Sequence, residues 1–187
     1  MTGSYWFPKP YADRVAKLRV PCGFLLLLTF AWLASPSRQS LLVGLPVSVA
    51  GLAIRAWAAG HLAKNRDLAT GGPYAWVRNP LYLGTLIVAL GVVLACRNWV
   101  LAAVFAAIFL LVYLPVIELE EQHLRSLFPA YEAYAARVPK LWGARRGAPS
   151  VAQAFDAATY LKNREYEALL GFLAGAGYLA AKMMWFR

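Results

Sequence analysis

Four residues at the start of one apolar run suit the binding of an anion. Pro80 disfavours helix at Asn79 and can itself occupy the first helical turn, so the sequence predicts that a helix begins at Pro80. A helix N-terminus exposes unpaired N–H groups and a partial positive charge, which together can hold a carboxylate or phosphate. Arg78 adds a forked cation, and Tyr82 lies half a turn further on. The same residues also fit an ordinary membrane boundary, where Arg snorkels and Tyr joins the aromatic belt.

An acidic cluster follows the fourth apolar run of the chain. Glu118 and Glu121 are three residues apart and share a helix face, whereas Glu120 points about 100° away from Glu121. Carboxylates in this position could bind a cationic group such as an amine or a sulfonium. Glu121 could instead pair with Arg125, which follows four residues later. The spacing leaves both interpretations open.

Arg55 lies inside the second apolar run, about one helical turn from its end. A charge within a membrane span usually faces a polar cavity or partner, although snorkelling explains it equally well. We therefore take Arg55 as a candidate substrate-binding residue. His61, at the end of the same run, could act as a ligand or hydrogen-bond donor. Because His61 and His123 are the two histidines and no cysteine pair accompanies them, the sequence predicts no metal site.

Five apolar runs must position these residues, at 20–34, 41–59, 81–95, 99–117 and 168–181. A helix needs about 20 residues to cross a bilayer, with about 17 as a practical lower limit, so the third and fifth runs are short. The chain is 60% hydrophobic and 15% charged, against roughly 25% charged residues in soluble domains. The sequence therefore predicts an all-α integral membrane protein with about five transmembrane helices and a cytoplasmic helical connector between spans four and five.

Basic residues are distributed unequally over the two sides of this predicted bundle. The chain has 19 Lys and Arg against 9 Asp and Glu, for a net charge of +10. Fourteen of the basic residues precede span one or follow spans two and four, whereas Arg38, Arg97, Lys182 and Arg187 lie on the other side. Cytoplasmic loops carry an excess of Lys and Arg, which also face an anionic surface there. We expect the N-terminus and the active site to be cytoplasmic, in an inner membrane of bacterial or archaeal type, and no nucleic acid partner.

Two motifs, in this order, resemble a known group of membrane enzymes. LATGGPYAWVRNPLYLG, residues 68–84, precedes EEQHLRSLFPAYEAYAARVP, residues 120–139. Both resemble the integral-membrane methyltransferases of the isoprenylcysteine carboxyl methyltransferase and phospholipid methyltransferase group. The pattern of that group runs G-P-Y-x-x-x-R-H-P-x-Y-x-G and then E-E-x-x-L-x-x-x-F-G-x-x-Y-x-x-Y-x-x-x-V-P. The resemblance covers about residues 60–142.

The resemblance implies S-adenosylmethionine as the cofactor and a lipid-like or prenylated acceptor that enters from the bilayer. It implies that residues 72–74 form the loop beneath the cofactor and that Glu120 and Glu121 hold the amino group of its methionine part. The implied cofactor-binding residues are His61, Leu68, Gly72, Pro73, Tyr74, Arg78, Asn79, Pro80, Tyr82, Glu120 and Glu121. The catalytic candidates are Arg78, Asn79, Tyr82 and Glu121, while Tyr131 and Tyr134 are expected to pack the closing helix.

On this interpretation the chain is one methyltransferase-like domain, 1–187. It comprises an interfacial N-terminal segment (1–19), a cofactor-binding core (60–142), the connector (118–167) and a C-terminal span (168–187). Within the core, Asn79 stands where the group usually has His, and Asn cannot titrate near neutral pH, so a proton-shuttling role would be lost. Whether the acceptor is a carboxylate, an amine or a thiol stays open, and so does the oligomeric state. The alternatives are a sterol-reductase-like enzyme that uses NADPH and a non-catalytic protein that retains the fold.

Overall fold

The computed structural model of this chain describes residues 7–63, 66–142 and 154–185, with only the backbone described at residue 19. Every regular element in these ranges is helical. The helices are α1 (Lys9–Leu33), α2 (Arg38–Ala59), α3 (Pro80–Cys96), α4 (Trp99–Ile108), α5 (Leu114–Leu127), α6 (Tyr131–Arg137), α7 (Ala157–Lys162) and α8 (Tyr166–Trp185). A 3₁₀ turn covers Gly72–Ala75, and a π-helical segment, Phe109–Tyr113, joins α4 to α5. The predicted segment 1–19 and connector 118–167 lie partly outside the described residues.

Three helices are long and apolar enough to cross a membrane: α2, α8 and the continuous helix Trp99–Leu127 that α4, the π segment and α5 form. Helix α1 makes a fourth span if its two parts, which are bent by 52° between Leu18 and Val20, count as one. Pro21 explains the bend, because proline lacks an N–H and clashes with the preceding turn. Helix α3 is apolar but has 17 residues. The all-helical membrane class is confirmed, and the count of five spans stays a prediction.

The outer faces of the bundle are apolar, as a lipid environment requires. Leu28, Leu42, Leu90, Leu110 and Leu173 are each more than half exposed. In water such a distribution would leave a large unfavourable apolar surface, whereas hydrocarbon solvates it. The protein is therefore an integral membrane protein, and its polar groups must be satisfied inside the bundle or near the interfaces.

Helices α2 and α3 lie close together because small residues face each other between them. A Cβ atom added to Gly91 would lie 2.3 Å from Ser48 Oγ and 2.5 Å from the Gly44 carbonyl oxygen, closer than any side chain could fit. The Ser48 hydroxyl donates a hydrogen bond to the Val88 carbonyl at 3.0 Å. Small residues and interhelical hydrogen bonds are the usual means of close helix packing in membranes. This contact fixes Arg55 of α2 beside the first turns of α3.

The π segment before α5 has an identifiable cause. Pro115 has no N–H to donate to the Leu111 carbonyl, which an α-helical residue at that position would do. The Tyr11 hydroxyl of α1 donates to that carbonyl instead, at 2.6 Å. The N-terminal half of α1 thereby satisfies a carbonyl that proline leaves without a helical donor in the long helix.

Helix α7 attaches the chain before α8 to the end of α2. The Asn163 side chain donates to the carbonyls of Ala59 at 2.8 Å and Leu62 at 2.9 Å. The backbone N–H of Asp156 donates to the Gly60 carbonyl at 3.1 Å. Carbonyls at a helix C-terminus have no partner within the helix, so these bonds satisfy groups that α2 leaves open. The turn between α7 and α8 is thus held against the C-terminal end of α2.

Candidate active site

Backbone hydrogen bonds join the two motifs that the sequence analysis singled out. The N–H of Arg78 donates to the Pro139 carbonyl at 2.9 Å, and the N–H of Asn79 donates to the Lys140 carbonyl at 3.2 Å. The Asn79 side chain donates to the same Lys140 carbonyl at 3.2 Å. These two N–H groups before α3 are therefore hydrogen-bonded within the protein. They do not support the prediction that the start of this helix holds an anion.

A buried charge cluster, formed by Arg78, Glu118, Glu121 and Lys140, lies behind these bonds. Lys140 Nζ is 2.7 Å from Glu118 Oε2 and 3.2 Å from Glu121 Oε2. Arg78 Nε is 3.6 Å from Glu121 Oε1, to which the Asn79 amide also donates at 3.1 Å. Two cations thus balance two carboxylates, and the Glu121 residue is only 2% exposed. Glu118 and Glu121 share a helix face as the spacing predicted.

Arg125 pairs with a residue other than Glu121, the partner that the helical spacing suggested. Its guanidinium pairs with Glu132 of α6 and lies over the Tyr131 ring, 5.5 Å from the ring centre. The i,i+4 pairing of Arg125 with Glu121 is therefore not formed, because Glu121 is turned toward Arg78 and Lys140. Helix α6 is fastened to α5 by this contact.

A cavity of about 600 Å³ adjoins the buried charge cluster, because Arg78 belongs to the cluster and also lines the cavity; we call it the polar cavity for the charged and hydroxyl-bearing side chains in its wall. Glu120, which is exposed, lines the cavity, and its Oε1 accepts a hydrogen bond from the Tyr82 hydroxyl at 3.0 Å. The lining residues are Arg55, Leu62, Ala63, Asp67, Leu68, Ala69, Tyr74, Arg78, Leu81, Tyr82, Thr85, Tyr113, Glu120, His123, Leu124, Tyr131, Tyr134 and Glu165. Both motifs therefore contribute to one cavity.

Five tyrosines contribute to the cavity wall, and three of them are buried. Burial raises the pKa values of Tyr74, Tyr131 and Tyr134 well above the ordinary value; nearby Glu120 and Glu165 raise that of Tyr74 further, and Glu121 that of Tyr131. All three phenols therefore stay neutral near pH 7. The Tyr134 hydroxyl donates to the Tyr74 carbonyl at 2.7 Å, which ties α6 to the 3₁₀ turn.

The floor of the cavity is an ion pair that the sequence analysis missed. Arg55 Nε lies 2.6 Å from Glu165 Oε1, and Nη2 lies 3.1 Å from Glu165 Oε2, so the pair is bidentate. The second Nη atom donates to Thr85 Oγ1 and, at 3.4 Å, to the Leu81 carbonyl. The sequence signal for this pair was Arg55 itself. A charge inside a span predicts an acidic partner but does not identify the residue.

The sequence-predicted site residues divide into two sets in the structure. Arg55, Leu68, Tyr74, Arg78, Tyr82 and Glu120 line the polar cavity among the described residues. His61, Gly72, Pro73, Asn79, Pro80 and Glu121 are not among the lining residues and lie behind them. Asp67, Thr85, Tyr113, His123, Leu124 and Glu165 line the cavity and carried no such prediction.

His61 and Gly72 support the loop under the cavity. His61 Nδ1 lies 2.8 Å from the Trp57 carbonyl oxygen, and the ring is 4% exposed. A Cβ atom added to Gly72, whose φ is +54°, would lie 2.6 Å from the His61 ring. Glycine is thus required for both its conformation and its size. No group of three His, Cys, Asp or Glu residues that could hold a metal occurs in residues 7–63, 66–142 and 154–185.

The described residues form a membrane-spanning helical bundle with a polar cavity that residues of both sequence motifs line. The family model for phospholipid methyltransferases matches residues 19–131, more than half of the chain. The chain belongs to this family. The match begins well before residue 60 and so includes the first two apolar runs as well as most of the core suggested by the motifs.

Three curated proteins are similar to parts of the chain. Over 87 residues it is 39% identical to the cobalt-zinc-cadmium resistance protein CzcN of Cupriavidus metallidurans, covering 46% of this chain and 40% of that protein. Over 110 residues it is 31% identical to the nickel-cobalt-cadmium resistance protein NccN of Alcaligenes xylosoxydans xylosoxydans, covering 58% and 50%. Over 137 residues it is 30% identical to the protein-S-isoprenylcysteine O-methyltransferase of Schizosaccharomyces pombe, covering 70% and 58%. The chain thus spans about half the length of these relatives, and no solved structure matches it.

Proposed function

We propose that this chain transfers a methyl group from S-adenosylmethionine to a lipid-like acceptor within the membrane. Family membership supports methyl transfer. The single observation that carries the proposal is the polar cavity, which both motifs line and whose floor, at Arg55 and Thr85, also borders an apolar cavity of about 300 Å³. In this arrangement a polar cofactor in one cavity and an apolar acceptor in the other would meet beside Arg55 and Thr85.

The residues of the polar cavity fit this cofactor. Its volume of about 600 Å³ lies within the roughly 300–1,000 Å³ of small-molecule sites. Glu120 supplies a carboxylate for the cofactor's amino group, and neutral tyrosine rings offer electron-rich faces to a cation.

The cofactor supplies an electrophilic methyl group on its sulfonium sulfur. The chain's own contribution is to hold and orient the reactants and to exclude water, since an in-line displacement depends chiefly on positioning. Glu120, held by Tyr82, would bind the amino group of the cofactor, and Arg78, which lines the cavity while its Nε faces Glu121, would bind the cofactor's carboxylate through its other N–H groups. We assign Glu121 and Asn79 to support of this wall rather than to contact with the cofactor.

The acceptor would enter through the apolar cavity, which α1, α2, α3 and α8 line. Its apolar part would remain there, and its reactive group would reach the level of Arg55 and Thr85. The name of the Schizosaccharomyces pombe relative, a protein-S-isoprenylcysteine O-methyltransferase, agrees with a lipid-bearing acceptor. We place the polar cavity on the cytoplasmic side, following the excess of Lys and Arg on that side of the bundle.

Calorimetric titration of the detergent-purified protein with S-adenosylhomocysteine, and separately with NADPH, tests the proposal. We expect micromolar binding of S-adenosylhomocysteine and none of NADPH. Glu120→Gln should weaken this binding about 10- to 100-fold, because a hydrogen bond to a charged group is worth roughly 1.5–3 kcal/mol. Glu167→Gln, which removes an exposed carboxylate of α8 outside the cavity, is the matched control.

Two outcomes would reject the proposal. A folded wild-type protein that binds no S-adenosylhomocysteine is not a methyltransferase of this kind, and binding of NADPH instead would support the reductase alternative. A protein that binds the cofactor but moves no label from methyl-tritiated S-adenosylmethionine into organic-extractable material of its native membrane would support the non-catalytic alternative.

A further inference from the structure

A cavity of about 700 Å³ lies between the end of α1, the start of α2 and the end of α8. We call it the basic cavity, because Arg38 and Lys182 line it and no side-chain carboxylate lies in its described wall. Arg38 begins α2, whereas Arg55 lies near the other end of that helix, so roughly 25 Å of helix separates the basic cavity from the polar cavity. The basic cavity is therefore too far away to serve the proposed methyl transfer.

Exposed tryptophans place the basic cavity at the boundary between membrane and water. Trp32 at the end of α1, Trp99 at the start of α4 and Trp185 at the end of α8 are each more than 80% exposed. Tryptophan is enriched at this boundary, where its ring lies among the lipid headgroups. Leu28, one helical turn before Trp32, is 69% exposed and marks the start of the apolar surface. A ligand of the basic cavity thus lies beside hydrocarbon.

The charged side chains at this end of the bundle are all basic. The nine Asp and Glu residues of the chain lie in residues 1–19, 60–80 and 118–167, away from the basic cavity. Arg38, Arg97 and Lys182 are the basic residues that the structure describes at the end where the cavity lies. A headgroup that carries an ammonium would find no side-chain carboxylate here, whereas a phosphate would find two cations. The basic cavity therefore favours an anion.

The two cations of the cavity wall differ in how they are held. Arg38 is exposed, and no described side chain pairs with it, so its guanidinium can bind two phosphate oxygens at once. Lys182 Nζ donates to the carbonyls of Ala31 at 2.8 Å and Trp32 at 3.1 Å, which fixes the ammonium group in the wall. Ser35 also lines the cavity and adds a hydroxyl donor.

Helix α8 meets α1 beside the basic cavity and leaves apolar surface open there. The Tyr178 hydroxyl donates to the Ala31 carbonyl at 2.6 Å, and the Tyr178 ring contacts Phe30 with 5.9 Å between ring centres. Leu179 is the one buried residue that the described part of α8 contributes. A Cβ atom added to Gly177 would meet no atom within 4 Å, so this face of α8 has no protein neighbour. A lipid can cover such a surface, and a free anion cannot.

We infer that the basic cavity binds the headgroup of an anionic phospholipid, in the leaflet opposite the polar cavity. Its phosphate is bound by Arg38 and Lys182, and its acyl chains lie along the exposed apolar faces of α1 and α8. Basic pockets between membrane helices recognise anionic headgroups in this way. The lipid contacts both helices and so supports the attachment of α8 to α1. This inference does not depend on the proposed function.

Native mass spectrometry of the detergent-purified protein tests the inference, by titration with phosphatidylglycerol and phosphatidylcholine of identical acyl chains. We expect the first phosphatidylglycerol to bind at least about tenfold more tightly than the first phosphatidylcholine, since two cations face its charge. Arg38→Gln should weaken phosphatidylglycerol binding about fivefold, the effect of one basic residue at a lipid surface, and should leave phosphatidylcholine binding within about twofold. Arg97→Gln removes the same charge from an exposed position outside the cavity wall and is the matched control.

Four outcomes would overturn the inference. Equal binding of the two lipids by the wild-type protein would show no preference for an anion. Unchanged phosphatidylglycerol binding in folded Arg38→Gln would place the lipid elsewhere, and an equal loss in Arg97→Gln would mean that the general surface charge attracts it. Displacement of the lipid by millimolar inorganic phosphate would mean that the cavity takes a free anion. If Arg38→Gln does not fold, Lys182→Gln, which keeps a donor for the carbonyls of α1, provides the same comparison.

Discussion

Two adjacent glutamates of α5 lie in opposite environments. Glu121 is 2% exposed and belongs to the buried charge cluster, where Arg78, Lys140 and the Asn79 amide surround it. Glu120 is exposed to the polar cavity and accepts a hydrogen bond from Tyr82. A motif of two identical residues therefore places its members in two different environments. Sequence identity within a motif does not show which member contacts the ligand, because successive residues of a helix point about 100° apart.

The comparison shows how charge is used on the two sides of the helix. The buried charge cluster holds two cations and two carboxylates, so it can be internally neutral and needs no ligand. Its role is to join α5, the start of α3 and the chain after α6 in one arrangement. The cavity side holds the Glu120 carboxylate, which under the proposed function would bind the amino group of the cofactor. Variants of the buried charge cluster should therefore lower the stability, and variants on the cavity side should weaken the binding of S-adenosylhomocysteine.

Removal of Lys140 should give the largest effect and lies on the buried side. Lys140→Met leaves Glu118 and Glu121 near each other with one cation fewer, and we expect a loss of about 3–5 kcal/mol in the free energy of unfolding. Unfolding in mixed micelles with increasing dodecyl sulfate measures it. Lys162→Met, which removes an exposed lysine of α7, is the control. Equal stability of the two variants would mean that the cluster does not hold the fold together.

Replacement of each adjacent glutamate tests whether Glu121 stabilises the fold and Glu120 does not. Glu121→Gln keeps the size of the side chain but removes a buried charge, and we expect a loss of about 1–3 kcal/mol of stability. Glu120→Gln should change the stability by less than about 0.5 kcal/mol, as is usual for exposed positions. The same micellar unfolding assay, run on both variants, measures the difference. A larger loss in Glu120→Gln would reverse the assignment of the two sides.

The helices were largely predictable because apolar runs determine them. The predicted runs 41–59 and 81–95 became Arg38–Ala59 and Pro80–Cys96, and the last run became Tyr166–Trp185. The start of α1 at Lys9 was not predicted, since the polar residues before Val20 gave no apolar run. They form helix because Ala12 and Val15 are buried against the rest of the bundle.

The site was predictable only where local geometry decides it. Helical spacing placed Glu118 and Glu121 together and Glu120 apart, as found. The same rule could not say which side faces the polar cavity, because that depends on how α5 packs against α3 and α6. The pairing of Arg55 with Glu165 joins residues 110 positions apart. No local pattern encodes such a contact, and it depends on the fastening of α7 to the end of α2.

Replacement of Asn79 tests the buried charge cluster with a smaller expected loss of stability than that of Lys140→Met. Asn79→Ala removes the hydrogen bonds that the side-chain amide donates to Glu121 and to the Lys140 carbonyl. We expect a loss of about 1–2 kcal/mol in the free energy of unfolding. Asn79→His, which introduces the residue that the resembled pattern has at this position, keeps one ring donor for Glu121 and should lose less. Unfolding assays measure stability, and calorimetry with S-adenosylhomocysteine measures binding, which should stay within about twofold in both variants. Weakened binding in a stable Asn79→Ala protein would place Asn79 in the cofactor site after all.

The smallest expected effect lies on the cavity side, at Tyr82. Tyr82→Phe removes the hydroxyl that donates to Glu120 at 3.0 Å and leaves the ring, which packs edge-on against Tyr113 with 6.2 Å between ring centres. Since a typical hydrogen bond contributes roughly 0.5–1.5 kcal/mol, binding of S-adenosylhomocysteine should weaken about 2- to 10-fold with little change in stability. In a Glu120→Gln background the same substitution should have less effect, because the bond it removes holds the charged carboxylate in position. Additive losses in the double variant would show that Tyr82 acts on the cofactor directly and not through Glu120.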